Sequence, residues 1–219
     1  PMRRLFHIMG RAWSFVTANL AGEHFVINNP GLLPGFLQQA QKELGNKGPL
    51  KYESKDIEGC FPNMPKPAIR EGSREMLKMI TDATGHTGVV VPNKDSEKCT
   101  WTTRRKDGVK HIPFEVMIDV MEFALDNTLI KDLDGNLWRQ EQGIPMGDPH
   151  SPGMTIGTCA WMEHRWMQTL TRDTKSMFRA ARYMDDILMI YADSPTFHSS
   201  NLLNNFNSNC YTTPLKLED

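Results

Sequence analysis

The sequence predicts an α/β (α+β) chain, an antiparallel sheet backed by helices, and three observations carry that prediction. Segments with helical spacing of apolar residues alternate with short β-favouring runs. Asp134-Gly135, set between two such runs, is a hairpin signal. A further pair of runs, residues 178–183 and 187–191, flanks the adjacent carboxylates Asp185 and Asp186, and a tight turn there puts both acids at a hairpin tip. With 219 residues the chain is long enough for one large domain or two small ones and for a real core. Hydrophobic residues at 39% and charged ones at 23% exclude membrane-embedded and low-hydrophobicity disordered classes. Lys and Arg number 25 against 26 Asp and Glu, a formal net charge of −1, which excludes a polybasic protein. Nucleic-acid binding through a local basic surface stays open.

Residues 2–25 place Leu5, Phe6, Ile8, Trp13, Phe15, Val16 and Leu20 in a loose amphipathic helix. Residues 28–35 are turn chemistry, since Pro fixes φ and Gly permits positive φ. A short helix follows over 36–44, ended by Gly45, and then a strand over 52–57 that stops at Gly59. The next helix spans 67–81, with Pro67 tolerated in its first turn and Ile69, Met76 and Ile80 on its apolar face. Residues 85–110 are polar and include Arg104, Arg105, Lys106 and Lys110, which read either as a solvated loop or hairpin or as a nucleic-acid contact. A helix over 113–126 has its stripe at Val116, Val120, Phe123 and Ala124, and the Asp134-Gly135 hairpin joins 128–130 to 136–140. Asp132 and Asp134 do not make a calcium loop, because Gly135 falls too early. Beyond a Gly/Pro-rich loop, Ser151 as N-cap and Pro152 at the first helical position start a helix running to Thr171.

Cys60, Cys99, Cys159 and Cys210 lie far apart without metal-ligand spacing, and predict reduced thiols in an intracellular protein. No apolar run approaches the roughly 20 residues that span a bilayer, and no signal peptide is visible. A start at Pro1 rather than Met predicts a fragment of a longer protein.

Three segments carry chemistry. In Arg182-Tyr183-Met184-Asp185-Asp186 two like charges meet at a strand end, which is poor for stability unless cations neutralise them. In Asp56-Ile57-Glu58-Gly59-Cys60-Phe61-Pro62-Asn63 an acid terminates a strand and an aromatic follows five residues on. In Gly143-Ile144-Pro145-Met146-Gly147-Asp148-Pro149-His150-Ser151-Pro152 a bare backbone precedes a helix start and can approach a ligand closely. Taken singly, each has an ordinary reading: a surface Asp-Asp turn, a turn or N-cap Asp, a loop. Asp148, His150 and Ser151 lie too close in sequence to converge as a hydrolase triad.

Together and in this order, the segments resemble motifs A, B and C of reverse transcriptases, from about residue 50 to the C-terminus. The nearest pattern is that of Penelope-like retroelements, which matches Asp56, Phe61 and Asn63-Met64-Pro65 in motif A and Met146-Gly147 in motif B. Residues 214–218, Pro-Leu-Lys-Leu-Glu, look like the following palm element of that family. Gly143, Pro145, Gly147, Ser151 and Pro152 are shared with group II intron and telomerase enzymes.

The resemblance implies a polymerase palm over 50–219 with a fingers insertion about 82–112, a partial fingers or connecting region over 1–49, and no thumb. A basic fingers region upstream of Pro1 and an endonuclease beyond the chain are expected in the full protein. The implied activity is RNA-directed DNA synthesis, in which a primer 3′-hydroxyl attacks a dNTP with two Mg²⁺ ions, Mn²⁺ substituting. Asp56, Asp185 and Asp186 are the implied catalytic carboxylates and, with the Ile57 carbonyl, the metal ligands. Phe61, Met146 and Gly147 are the implied nucleotide pocket, Phe61 gating against a ribose 2′-hydroxyl. Tyr183, Met184 and Arg182 are the implied primer and template contacts, and Arg165, Arg172, Lys175 and Arg179 further phosphate contacts. Trp161 and Trp166 read as core rather than as base-stacking platforms. RNA template, DNA or RNA primer and dNTPs are the implied partners, with no membrane and a nuclear location in a eukaryotic host. Two rivals stand beside this reading. An RNA-dependent RNA polymerase is disfavoured by the YMDD sequence and Phe61, and a non-catalytic nucleic-acid-binding relic by the three intact acids.

Overall fold

The computed structural model describes residues 2–103, 109–195 and 197–218. Helix α1 (Met2–Thr17) buries Met9, Ala12, Trp13 and Val16, the stripe that a 3.6-residue period brings to one face. A 3₁₀ turn at Pro30–Leu32 is capped by Asn29, whose side chain accepts the Gly31 amide at 2.8 Å. Helix α2 (Leu33–Leu44) begins earlier than the sequence predicts, because Pro34 sits in the first turn, where its missing N–H costs nothing. Strand β1 (Leu50–Ile57) and the short helix α3 (Cys60–Asn63) follow, then α4 (Lys66–Thr84), closed by Gly85 in the left-handed conformation at φ 73°.

In the polar stretch 85–110 the hairpin alternative forms, and a third strand joins it. Strands β2 (Gly88–Val91), β3 (Thr100–Thr102) and β4 (Lys110–Pro113) form an antiparallel sheet in the order β3-β2-β4. Val89 and Val91 are fully buried in it, and their polar flanks hid them. Arg104, Arg105 and Lys106 lie outside the described residues, and Lys110 pairs with Val91.

Helix α5 (Phe114–Asp126) corrects the predicted stripe, since Val116 and Phe123 are exposed while Phe114, Met117, Met121, Ala124 and Leu125 are buried. Both sets have helical spacing. The buried set carries the larger apolar side chains, and beside it Arg70 of α4 binds Glu122 and Asp126 while Arg74 binds Glu122. The predicted hairpin is formed by β5 (Leu129–Lys131) and β6 (Leu137–Arg139), with Gly135 at φ 90°. Helix α6 (Ser151–Thr169) starts at Ser151 itself, so Ser151 is not an N-cap. Its hydroxyl is buried and has no hydrogen-bond partner among the described residues. The chain ends in α7 (Arg172–Ser176), β7 (Phe178–Tyr183), β8 (Asp186–Ala192), α8 (Ser199–Asn209) and β9 (Leu217–Glu218).

The molecule divides into two compact units that interleave in sequence, Pro1–Gly22 with Phe61–Thr158 and Glu23–Cys60 with Cys159–Asp219. The borders between the two units fall at 22/23, 60/61 and 158/159. In the first unit α1 meets the start of α6 closely: a Cβ on Gly153 would stand 2.6 Å from that of Trp13, and only glycine fits. In the second unit the antiparallel sheet runs β7-β8-β1-β9. Helix α2 covers one face, with Ala40 and Leu44 against Ile190 and Ala192. The other face carries an aromatic cluster in which Trp166 meets Phe178 and Phe206 at ring-centroid distances of 5.7 and 5.2 Å. Cys60, Cys159 and Cys210 are buried and all four thiols are free. Among the described residues, no helix is long and apolar enough to cross a membrane.

Candidate functional site

Strand pairing brings the three acids of the second unit together. Lys55 of β1 pairs with Ile187 of β8, so the next step along each strand sets Asp56 level with Asp186. The Ile57 amide donates to the Asp185 carbonyl at 3.2 Å, which ties the end of β1 to the β7–β8 turn. On its other edge β1 pairs with β9, Asp56 opposite Glu218 and Ile57 opposite Leu217, so the predicted element at 214–218 lies beside the same strand end. Burial and the negative charges of Asp185 and Asp186 push the Asp56 carboxyl above its ordinary range.

The turn itself is tight. Tyr183 pairs with Asp186, leaving Met184 and Asp185 as its two central residues. Met184 holds φ 59°, the one non-glycine residue in the left-handed region among those described. Such a conformation costs about 1–2 kcal/mol and persists where its surroundings over-determine it. Here they do. Arg182 Nη1 donates to the Met184 carbonyl at 2.5 Å, and Arg182 Nε donates to Glu163 Oε1. The Tyr211 hydroxyl donates to the same Glu163 oxygen at 2.8 Å, and the Phe25 amide donates to Oε2 at 2.9 Å.

Arg182 therefore corrects the expectation of a primer or template contact. Its exposure is 0%, as is that of Glu163, so its guanidinium reaches no phosphate. Lys175 and Arg179 are likewise engaged, by Glu23 at 2.6 Å and by Glu43 at 2.5 Å. Arg165 stacks over the Trp161 ring at 4.8 Å, with Trp161 and Trp166 both in the core. Tyr183 is exposed, beside the acids in sequence and on the end of β7. Nothing in the spacing marks Glu163 or Tyr211, which only the fold brings to Arg182.

Phe61, Met146 and Gly147 lie in the first unit. The Phe61 carbonyl accepts the Ile144 amide at 2.9 Å and the Met64 carbonyl accepts the Gly143 amide at 3.2 Å, so the 143–147 loop is fastened to the segment after the border. Gly143 is at φ 79°, and a Cβ there would stand 2.5 Å from the Pro62 carbonyl oxygen. The Met146 side chain projects outward with 76% exposure.

Among the described residues, no three His, Cys, Asp or Glu side chains enclose a metal ion by themselves. A Mg²⁺ shared with substrate phosphates needs only one or two protein carboxylates. Asp56 and Asp185, from neighbouring strand ends and with mutual repulsion a cation would relieve, fit that donor chemistry.

No family model and no curated protein matches this chain. Solved structures do. A telomerase from Candida albicans in complex with a fragment of telomeric RNA is 16% identical, with a TM-score of 0.65 over 94% of this chain and 32% of that one. Apo telomerase from Candida tropicalis is 16% identical, with a TM-score of 0.62 over 95% of this chain and 33% of that one. The chain has the fold of that part of these polymerases, and spans about a third of their length.

Proposed function

We propose that the chain is the catalytic part of an RNA-directed DNA polymerase, of the kind that Penelope-like retroelements carry. One observation supports this above the rest: strand pairing sets Asp56 of β1 beside Asp185 and Asp186 on the β7–β8 turn. Two distant acidic segments meeting at adjacent strand ends is the arrangement that nucleotidyl transfer requires, and a surface Asp-Asp turn does not call for it. The fold shared with telomerases, one of them solved with telomeric RNA, supports a nucleic-acid partner.

In this proposal Asp56 and Asp185 hold divalent cations, with the Ile57 carbonyl and Asp186 as further donors. Mg²⁺ when bound supplies charge neutralisation at the phosphates. The chain supplies placement: the carboxylates fix where the primer 3′-hydroxyl meets the α-phosphate of a dNTP, and pyrophosphate leaves. By the motif resemblance, Phe61 takes the role of a gate against a ribose 2′-hydroxyl, and Met146 and Gly147 that of apolar and backbone contacts to the nucleotide. Tyr183 and Met184 stand near the primer end.

The test is primer extension on an RNA template with Mg²⁺ or Mn²⁺, with dNTPs and rNTPs in parallel. Extension with dNTPs that Asp185→Asn lowers by at least about 10³-fold is the expected result. Binding of primer–template by a folded chain that extends nothing would favour the non-catalytic relic. Phe61→Val is expected to admit rNTPs; unchanged sugar selection would remove the gate, and rNTP use by the parent chain would favour an RNA polymerase.

A further inference from the structure

The β7–β8 turn has a second set of residues behind it. Arg182 is wholly buried, and its guanidinium joins two things that are otherwise separate: the Glu163 carboxylate on α6 and the Met184 carbonyl at the left-handed turn. Glu163 is itself fixed from two more directions, by the Tyr211 hydroxyl at 2.8 Å and the Phe25 amide at 2.9 Å. The backbone repeats the grip, because the Arg182 amide donates to the Phe25 carbonyl at 2.6 Å and the Arg182 carbonyl accepts the Ile27 amide at 2.9 Å. A buried ion pair is a poor source of stability, since desolvation offsets its attraction. In some proteins such a pair instead fixes one geometry, and here the guanidinium holds the carbonyl of the residue before Asp185.

We infer that Arg182, Glu163 and Tyr211 are positioning residues, a buried relay that holds the Met184 carbonyl and thereby sets the Asp185 carboxylate for its cation. The inference rests on the reading of Asp56 and Asp185 as cation ligands. Outer partners of metal ligands act in this way, and their loss typically weakens metal binding about 10–100-fold. The relay also explains how a methionine is held at φ 59° where glycine is the ordinary choice.

The experiment uses the full chain with Tyr211→Phe, Glu163→Gln and Asp185→Asn. Tyr211→Phe removes a single hydroxyl and keeps the ring in its cluster, so it remains informative if Glu163→Gln fails to fold. Two readouts are taken: amide hydrogen exchange, and Mn²⁺ affinity from its EPR signal. The expected result is exchange about 10-fold faster at Ile57, Asp185 and Asp186, with amides of β2 and α5 unchanged, and Mn²⁺ affinity about 10-fold weaker. Exchange that accelerates evenly through the whole second unit would mean a merely structural pair and overturn the inference. So would a locally loosened turn with undiminished Mn²⁺ affinity, where Asp185→Asn abolishes it. A parent chain that binds Mn²⁺ no better than Asp185→Asn removes the cation reading itself, and this role with it.

Discussion

At the scale of single residues, backbone geometry and unpaired polar atoms make the sharpest forecasts. Gly143 has φ 79° and the Pro62 carbonyl oxygen 2.5 Å from where a Cβ would stand, so neither conformation nor space admits alanine. Gly143→Ala is expected to cost about 2 kcal/mol or more by urea denaturation. Gly35, inside α2 with nothing within 4 Å, is the opposite case, and Gly35→Ala is expected to stabilise by about 0.5–1 kcal/mol. His150 is 1% exposed, neither ring nitrogen has a partner among the described residues, and the Phe6 ring lies 4.7 Å away. Burial holds its pKa below the ordinary 6.5, against a weaker upward pull from Asp148. The unfolded chain therefore takes up a proton near that pH which the folded chain refuses, and stability falls as pH drops from 6.5 toward the depressed folded value. His150→Leu should flatten that loss between pH 7.5 and 5.5; an unchanged slope would assign it to other groups.

At the scale of elements, the first unit depends on a staple. Lys66 at the head of α4 donates from Nζ to the Leu125 carbonyl at the end of α5, 2.6 Å away, and to the Gln140 carbonyl just after β6. Burial lowers its pKa, yet the ammonium is what both carbonyls require. Lys66→Met leaves them unsatisfied and is expected to cost about 1–3 kcal/mol, read from the urea midpoint. What was legible in the sequence follows the range of each determinant. Helices α2 and α4 and both hairpins were readable because Pro, Gly and Asp fix them within a few residues. The meeting of Asp56 with Asp185 and Asp186 was anticipated through their short motifs alone. In the β2–β4 sheet the third strand and the burial of the middle one were not, because Val89 and Val91 are covered through partner strands across a polar stretch. The face of α5 depended on its packing partner, and Arg182 looked like a surface cation because Glu163 lies 19 residues from it and Tyr211 48 residues from Glu163. Such choices are made by tertiary contact, after local preference has left two answers open.

At the scale of the whole molecule, several cations among the described residues are already engaged by acids. Arg11, Arg70, Arg74, Lys175, Arg179 and Arg182 are each paired with an acid. With those six cations engaged by acids, the proposed binding of primer–template is expected to rest on few phosphate contacts. The logarithm of affinity against that of salt is expected to slope at about −3 or shallower between 50 and 200 mM, by fluorescence anisotropy. A slope steeper than about −6 would reveal a basic surface that these pairs do not account for. Strand β8 has a consequence of another kind. Residues 187–192 are six uncharged residues without Pro or Gly, with β-favouring Ile187, Ile190 and Tyr191 among them, the composition that assembles into fibrils when exposed. Asp185 and Asp186 precede that run and Asp193 follows it, so during synthesis or refolding they act as gatekeepers whose charge keeps nascent copies apart. The acids proposed to hold a cation in the native protein thus guard its solubility before any native protein exists.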